Sequence, residues 1–336
     1  MYLFRVVHFL MYTIAMSKLR VGVMRGGLGG EYYVSLKTGG VVLSSLPRDR
    51  YELHDILITN TGEWHLDGIP TAPAKLLQHV DVIFNALHGE FGEDGKVQKI
   101  LEHFNIPYTG SAPIPSAIGM NKELAKKYFR AVGIRVPRGV SISRGEEVGE
   151  VLERIKAEIS GPYVVKPLTG GSSIGLSLAR NDKELITAIE KALTYAERAL
   201  VEEYVKGREV TLGVIDARGG GRAYATPPLE ILLPEDTVFD YDQKYRNLTH
   251  PIGPARMQDA ERHALEEAAL LAHIHLGVRH YARYDFVLTH EGPCLLEVNT
   301  LPGLSHTSLM TKSLELHGLK LSEFLDYVLT LALEKK

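Results

Sequence analysis

The sequence predicts an α/β layer built on a parallel sheet in its first third and an α+β organisation in the rest. Three observations carry this. Short apolar runs alternate with helical patterns as far as about residue 120. After Pro137 the strands are joined by Gly/Ser-rich turns instead. The length of 336 residues exceeds one domain of roughly 150 residues and suggests two or three. With 45% hydrophobic and 24% charged residues the composition is that of a soluble globular protein. Its 38 Lys and Arg against 41 Asp and Glu argue against a nucleic-acid surface as the main business. Cys294, the only cysteine, can make neither an internal disulfide nor a cysteine-based zinc site, so a reducing, cytoplasmic setting is expected.

Residues 1–16 are largely apolar with Arg5 as the one permanent charge, yet they fall short of the roughly 20 residues that span a membrane. They lack a basic cluster and a small-residue cleavage site, which argues against a signal peptide. The expectation is a doubtful extension, with translation starting at Met11 or Met16. Strand candidates follow at 19–24, 54–59 and 80–86, with a Gly-rich turn and a helix from about Glu31 after the first. Next come strands at 137–142, 163–167, 174–179 and 200–203 around helices at 146–159 and 182–195. The loop 168–173 reads as the mobile connection of an antiparallel pair. The last third holds strands near 210–215, 283–288 and 294–299. In the helix 259–276, Ala260, Ala264, Ala268 and Leu271 are expected to form the buried stripe, with Gly277 closing the end. Leu321, Phe324, Leu325, Val328, Leu329 and Ala332 form a second stripe. Boundaries fall near 120 and 210.

Where the glycines lie matters more than their number. Arg25-Gly26-Gly27-Leu28-Gly29-Gly30-Glu31 follows a strand and opens a helix, but Tyr32 stands where a dinucleotide fingerprint needs its third glycine. What survives is either a tight turn or an anion-holding helix start. Glu31 beside it suits the ammonium of a zwitterion. A Gly-Lys-Ser/Thr nucleotide loop is also absent, since Val97 follows Gly95-Lys96. His88-Gly89-Glu90-Phe91-Gly92-Glu93-Asp94-Gly95 follows another strand and brings His88 to the same sheet edge, although a lone histidine there can equally be structural. Lys166 closes the apolar run Tyr163-Val164-Val165, and a lysine so placed is costly to bury without an anion. The Gly170-Gly171-Ser172-Ser173 loop behind it offers backbone N–H groups to phosphate, or is a flexible hairpin turn.

Arg283-Tyr284-Asp285 and Glu297-Val298-Asn299 form the most specific pair. Residues i and i+2 share a strand face, so Arg283 with Asp285 and Glu297 with Asn299 point together. If the two strands pair with those faces matched, three oxygen-bearing side chains converge beside an arginine. Hard oxygen ligands in an incomplete shell suit Mg²⁺ carried by substrate phosphates. The bland reading is a solvated hairpin edge.

Taken in order, Gly26-Gly27 with Glu31 and Ser35, the His88 to Gly95 cluster, Met120-Asn121-Lys122, the Lys166 to Gly175 segment, Glu202-Glu203-Tyr204-Val205 with Glu209, Lys244-Tyr245, Arg283-Tyr284-Asp285, Glu297-Val298-Asn299-Thr300, and Pro302-Gly303 through Ser308-Leu309 resemble the D-alanine–D-alanine ligases of the ATP-grasp superfamily. The resemblance runs from about Lys18 to the carboxyl end. It implies a pre-ATP-grasp α/β domain (17–119) followed by a two-lobed ATP-grasp fold, with lobes 120–209 and 210–336. Lys122, Lys166 and Lys244 would hold phosphates, while Glu202, the backbone at Tyr204 and Val205, and Glu209 would surround adenine and ribose. Asp285, Glu297 and Asn299 would carry two Mg²⁺ (or Mn²⁺) ions. Glu31 would take the ammonium of the first D-alanine and join Ser172 and Tyr245 in a closing group. His88 would belong to the substrate site, and Ser308 and Leu309 would face the second D-alanine.

The implied reaction activates a carboxylate as an acyl phosphate with ATP, after which an amine attacks. Phosphoryl transfer of this kind needs positioning and charge neutralisation. Arg283 and the Gly303 N–H are the expected donors to the oxyanion, and an acyl phosphate needs shelter from water under the Ser172 loop and the loop 236–254. The resemblance further implies a homodimer through the first domain, small-molecule substrates, and no nucleic-acid or membrane partner. Gly170 stands where the family often carries glutamate, Tyr32-Tyr33 replaces a charged pair, and the cover loop after Tyr245 is about one residue short. These departures bear on specificity. The alternatives are a ligase that uses D-lactate or D-serine second, for which His250 is the pointer, a non-catalytic ATP-binding relative, and an ATP-grasp ligase of L-amino acids.

Overall fold

The computed structural model describes residues 18–232 and 251–334. The extension 1–16, Lys244, Tyr245, His250 and most of the cover loop lie outside the described residues.

The first sheet has the order β4-β3-β2-β1-β5. Its strands are β1 (Leu19–Gly26), β2 (Tyr51–Ile58), β3 (Trp64–Leu66), β4 (Ile69–Pro70) and β5 (Val82–Asn85). β1 runs parallel to both β2 and β5, and α1 (Tyr32–Ser45) makes the crossover. The expected parallel layer is there, extended by the antiparallel edge strands β3 and β4. Two and three residues are too few to leave a period in the sequence. Alternation along β1 divides its two faces. Val21 and Val23 pack with Val82, Phe84 and Val42, whereas Met24 packs with Ile56, Ile58 and Ile83.

Val21 and Val23 share a core with Phe324, Leu325, Val328 and Leu329 from α10 (Leu321–Leu333). Ile215 and Tyr281 of the last sheet belong to the same cluster, and the Phe324 and Tyr281 rings meet edge to face at 5.3 Å. The chain's last helix therefore buries its apolar stripe partly on the first sheet. The amino-terminal layer and the carboxyl-terminal lobe are continuous through this core.

α2 (Pro73–Leu76) precedes β5, and the helices between β5 and the central sheet are α3 (Lys96–His103), α4 (Pro113–Met120) and α5 (Lys122–Ala131). The central sheet is antiparallel, with the order β6-β9-β7-β8. It comprises β6 (Gly139–Ser143), β7 (Tyr163–Pro167), β8 (Ser177–Ala179) and β9 (Arg198–Glu203), with α6 (Val148–Glu158) and α7 (Asp182–Leu193) packed on one face. β7 and β8 pair as the expected hairpin, with Tyr163 opposite Ala179.

The third sheet has the path β13-β12-β10-β14-β15, with β11 beside β10. Its strands are β10 (Arg208–Ile215), β11 (Tyr224–Ala225), β12 (Leu229–Ile231), β13 (Pro251–Ile252), β14 (Tyr281–Thr289) and β15 (Gly292–Asn299). Against it lie α8 (Asp259–Leu276), ended by Gly277 at φ 71° as expected, and α5. The stripe expected on α8 is corrected. Leu265, Ala269, Ala272, His273 and Leu276 are buried, while Leu271 is 39% exposed. The physical reason is His273. Its ring lies 3.0 Å from both the Tyr284 hydroxyl and an Asp216 carboxylate oxygen, so a satisfied polar residue belongs to the buried face. An apolar count places the stripe one position away. The remaining helix is α9 (Leu309–Leu316).

Candidate active site

Three strand ends and one loop build the site. β1 ends at Gly26 with φ +91°, where a Cβ would lie 2.1 Å from the Ile58 carbonyl oxygen, so only glycine fits. The Gly26 N–H donates to Ser35 Oγ, and that hydroxyl donates to the Ala86 carbonyl, each at 2.8 Å. One serine thus ties the ends of β1 and β5 to α1 and fixes how Glu31, the residue before α1, leaves the sheet.

The Glu31 carboxylate sits between two glycines. A Cβ on Gly89 or Gly171 would stand 2.3 or 2.6 Å from Glu31 Oε2. Ser172 Oγ donates to Glu31 Oε1, which brings together two of the residues singled out in the sequence. Ser172 and Ser173 adopt φ of 53° and 55°, an uncommon left-handed pair for non-glycine residues. The loop is also held from behind by Lys122, whose Nζ donates to the Gly170 carbonyl at 2.5 Å.

His88 is buried, with Nδ1 2.8 Å from the Leu301 carbonyl and Nε2 2.8 Å from Thr38 Oγ1. A carbonyl can only accept, so Nδ1 carries a proton. This bond ties the loop after β5 to the segment after β15. There a Cβ on Gly303 would lie 3.0 Å from Ser308 Oγ, and Ser308 in turn precedes α9, which begins at Leu309. Glu93, which sequence reasoning gave no role, is 3.8 Å from His88 Nδ1, and burial raises its pKa.

Between the central and third sheets lies a cleft of about 930 Å³ lined by Lys122, Lys166, Glu202, Tyr204, Val205, Glu209, Asp285 and Glu297, among others. A smaller cavity of about 340 Å³ is bordered by Glu93, Lys122, Gly170, Gly171, Glu297 and Asn299. Lys122, Gly170, Gly171 and Glu297 border both, so the two spaces meet beneath the Ser172 loop. The Tyr204 N–H donates to the Pro162 carbonyl at 2.8 Å.

The β14–β15 strands pair as a hairpin with those faces matched, Arg283 opposite Asn299 and Asp285 opposite Glu297. The pairing then slips, with Phe286 opposite Leu295, which leaves Leu296 as an extra residue. This bulge interrupts the alternation, and both Leu296 and Glu297 line the cleft. Arg283 grips Asp285 with two bonds of 2.8 Å, Thr211 donates to Asp285 Oδ1 at 2.6 Å, and Asn299 Nδ2 donates to Oδ2 at 3.0 Å.

A buried triad that sequence reasoning only half found lies at the floor of the cleft. Glu202 is 2% exposed and takes Lys126 on one oxygen and Lys166 on the other, the latter at 2.8 Å. Burial disfavours all three charges. It takes Lys126 down to about 8 against the pull of Glu202. For Lys166 the neighbouring Glu202 and Glu297 overcome burial and hold the ammonium above its usual range. For Glu202 the two lysines overcome burial and hold the carboxyl below its usual range.

The family described as D-ala D-ala ligase C-terminus matches residues 128–330, and the one described as D-ala D-ala ligase N-terminus matches residues 67–111. The chain belongs to the D-alanine–D-alanine ligase family. A D-alanine–D-alanine ligase of Geobacter sulfurreducens is 37% identical over 317 residues, covering 92% of this chain and 93% of that one. Among solved structures, the VanG D-Ala:D-Ser ligase of Enterococcus faecalis is 29% identical with a TM-score of 0.83, covering 94% and 100% of the two chains. The D-alanine–D-alanine ligase of Bacillus anthracis complexed with ATP is 28% identical with a TM-score of 0.77, covering 94% and 97%. The fold is thus the ATP-grasp fold of these ligases, with its preceding α/β layer.

The donor set of this ligase suits Mg²⁺. Two carboxylates and an amide oxygen come from one hairpin, and Asn299 already donates through Nδ2, which turns its Oδ1 to other partners. Among the described residues no three of His, Cys, Asp and Glu are grouped for a metal, and the set here is two carboxylates and one amide.

Proposed function

We propose that this ligase joins two D-alanines into D-alanyl-D-alanine at the expense of ATP, supplying a peptidoglycan precursor. The observation that carries the reading is the meeting of two spaces under one loop. A cleft with paired lysines and carboxylates suits a nucleotide, and its phosphate end opens beside the Glu31–Ser172 contact that suits an amino acid.

In this reading Glu31 receives the ammonium of the first D-alanine, while Ser172 holds that carboxylate in place. Lys122 and Lys166 face the phosphates, with Lys244 and Tyr245 closing from the cover loop, and Glu202, Tyr204, Val205 and Glu209 surround the nucleoside. Asp285, Glu297 and Asn299 hold two Mg²⁺ or Mn²⁺ ions, which neutralise phosphate charge when bound. The first carboxylate attacks the γ-phosphorus of ATP, giving an acyl phosphate and releasing ADP. The amine of the second D-alanine, held near Ser308 and Leu309 and deprotonated to solvent, attacks the acyl carbon, and the tetrahedral intermediate expels inorganic phosphate to leave the peptide bond. Arg283 and the Gly303 N–H stabilise the oxyanion, each such donor being worth roughly 3 kcal/mol. His88 holds the Leu301 carbonyl and so fixes the approach to Gly303. The loop over Ser172 excludes water from the acyl phosphate. We further propose the division 17–119, 120–209 and 210–336, a homodimer through the first domain, and a cytoplasmic location. Among the described residues no helix is long and apolar enough to cross a membrane.

The test is coupled phosphate release with D-alanine, L-alanine, and D-alanine supplemented with D-serine or D-lactate. Release with D-alanine alone, and a dipeptide as the product, is expected. Faster release with D-serine or D-lactate would move the second-substrate assignment, and equal release with L-alanine would overturn the reading of the first subsite.

A further inference from the structure

Lys126 lies outside the lining of the nucleotide cleft, yet it is among the most deeply buried charges in the molecule, 3% exposed. It projects from α5 four residues after Lys122, so one helix turn sends one lysine to the Gly170 loop and the next to the cleft floor. Asn121 caps α5 by accepting the Leu124 N–H, and Ala125 and Phe129 fix the helix in the core of the third sheet. Glu202 and Lys166 belong instead to the central sheet. Lys126 thus reaches from a helix packed on the third sheet to a carboxylate of the central sheet.

The charges explain why this matters. Glu202 and Lys166 alone would be a closed buried pair, and drawing Lys166 toward a phosphate would strip a carboxylate that is 2% exposed of its partner. With Lys126 on the other oxygen, Glu202 keeps a cation when Lys166 moves, and the cluster carries a net positive charge before any anion arrives. We propose that Lys126 is a positioning residue for the triphosphate: it holds Glu202 so that Lys166 is released to phosphate oxygens. The inference rests on the ligase reading of the cleft and adds a residue that never touches the nucleotide.

The test is calorimetric binding of ATP and, separately, adenosine to the full chain without D-alanine, in the wild type, K126M and K126Q. K126Q keeps an amide donor for Glu202 and carries the test if K126M does not fold. Losing part of one charge-assisted contact should weaken ATP about tenfold in both variants while adenosine stays within about twofold. In a K166M background K126Q should have no further effect on ATP, because the two lysines act in series. ATP and adenosine weakening by the same factor would reduce Lys126 to general structural support and overturn the inference. So would an unchanged ATP affinity, or a full effect surviving in K166M. A wild type that binds neither ATP nor adenosine would instead overturn the ligase reading itself, and this inference with it.

Discussion

Gly171→Ala is the sharpest probe of the Ser172 loop, because the added methyl meets one functional atom. Its Cβ would stand 2.6 Å from Glu31 Oε2, where ordinary contact begins at 3.4 Å. One partner must therefore yield by about 0.8 Å. Gly171 does not need a left-handed backbone, so alanine adds no conformational strain, and the residue is only half-buried. The nearest things to move are the Glu31 carboxylate and the loop that carries Ser172, and either movement breaks the Ser172–Glu31 hydrogen bond. A hydrogen bond to a charged group is worth about 1.5–3 kcal/mol, which corresponds to roughly 10- to 100-fold. A displacement near 1 Å in a substrate-positioning group has a comparable effect of about 100-fold. Phosphate release measured against D-alanine at saturating ATP should lose that factor in kcat/KM for the first D-alanine, while adenosine affinity stays within about twofold. A kcat/KM within twofold of wild type would refute the seating of Glu31 between Gly89 and Gly171. An equal loss in adenosine affinity would show that the loop acts on the whole cleft rather than through Glu31.

Four further outcomes rest on the cleft and on the shared core. Glu297→Gln removes a charge with little change in volume, so ATP turnover should fall at least ~100-fold while adenosine still binds, and wild-type turnover would sink the metal assignment. Raising the pH through about 8 should neutralise Lys126, which faces Glu202, Lys166 and Cys294, so ATP affinity should fall there in the wild type and stay flat in K126Q, as read by calorimetry. The stability effect of that group has the opposite sign. Its pKa is depressed on folding, the unfolded chain binds more protons between about 8 and its usual 10.5, and the stability contribution rises across that window. Phe324→Ala should cost about 3–5 kcal/mol in a denaturant titration. The curve should remain one transition, since Phe324 joins the first sheet to the last; two separated transitions would count against a shared core.

Much of the fold was legible because apolar runs bounded by turn residues leave a pattern. β7 coincides with the expected 163–167, and α8 spans the expected 259–276 with its glycine cap. Where the reading failed, a local signal was missing or overruled. β3 and β4 are too short for a period to register. α4 begins with Pro113 and contains Pro115, residues that by themselves suggest a turn, although proline at the first turn of a helix is compatible with it. On α8 the alanines are weak markers of burial, and the decisive residue, His273, is polar. Its place in the core depends on Asp216 and Tyr284, which arrive from elsewhere in the chain.

The candidate site divides along the same line. Strand parity put Glu297 with Asn299, and Arg283 with Asp285, on shared faces, and the pairing of Asp285 opposite Glu297 is what brings the three together. The bulge at Leu296 lay beyond that rule, and it is what lets the adjacent Leu296 and Glu297 both border the cleft. Lys126 was hidden for a different reason. A lysine four residues after another on an amphipathic helix ordinarily reads as part of a solvated face, and nothing local distinguishes it from Lys127, whose partner Glu123 is an ordinary i,i+4 neighbour at 3.0 Å. The two part company only when β9 brings Glu202 against α5. Residues that hold a ligand can be found by the spacing their chemistry requires. A residue that acts through another is specified by a tertiary contact, and only the folded chain distinguishes Lys126 from its neighbour.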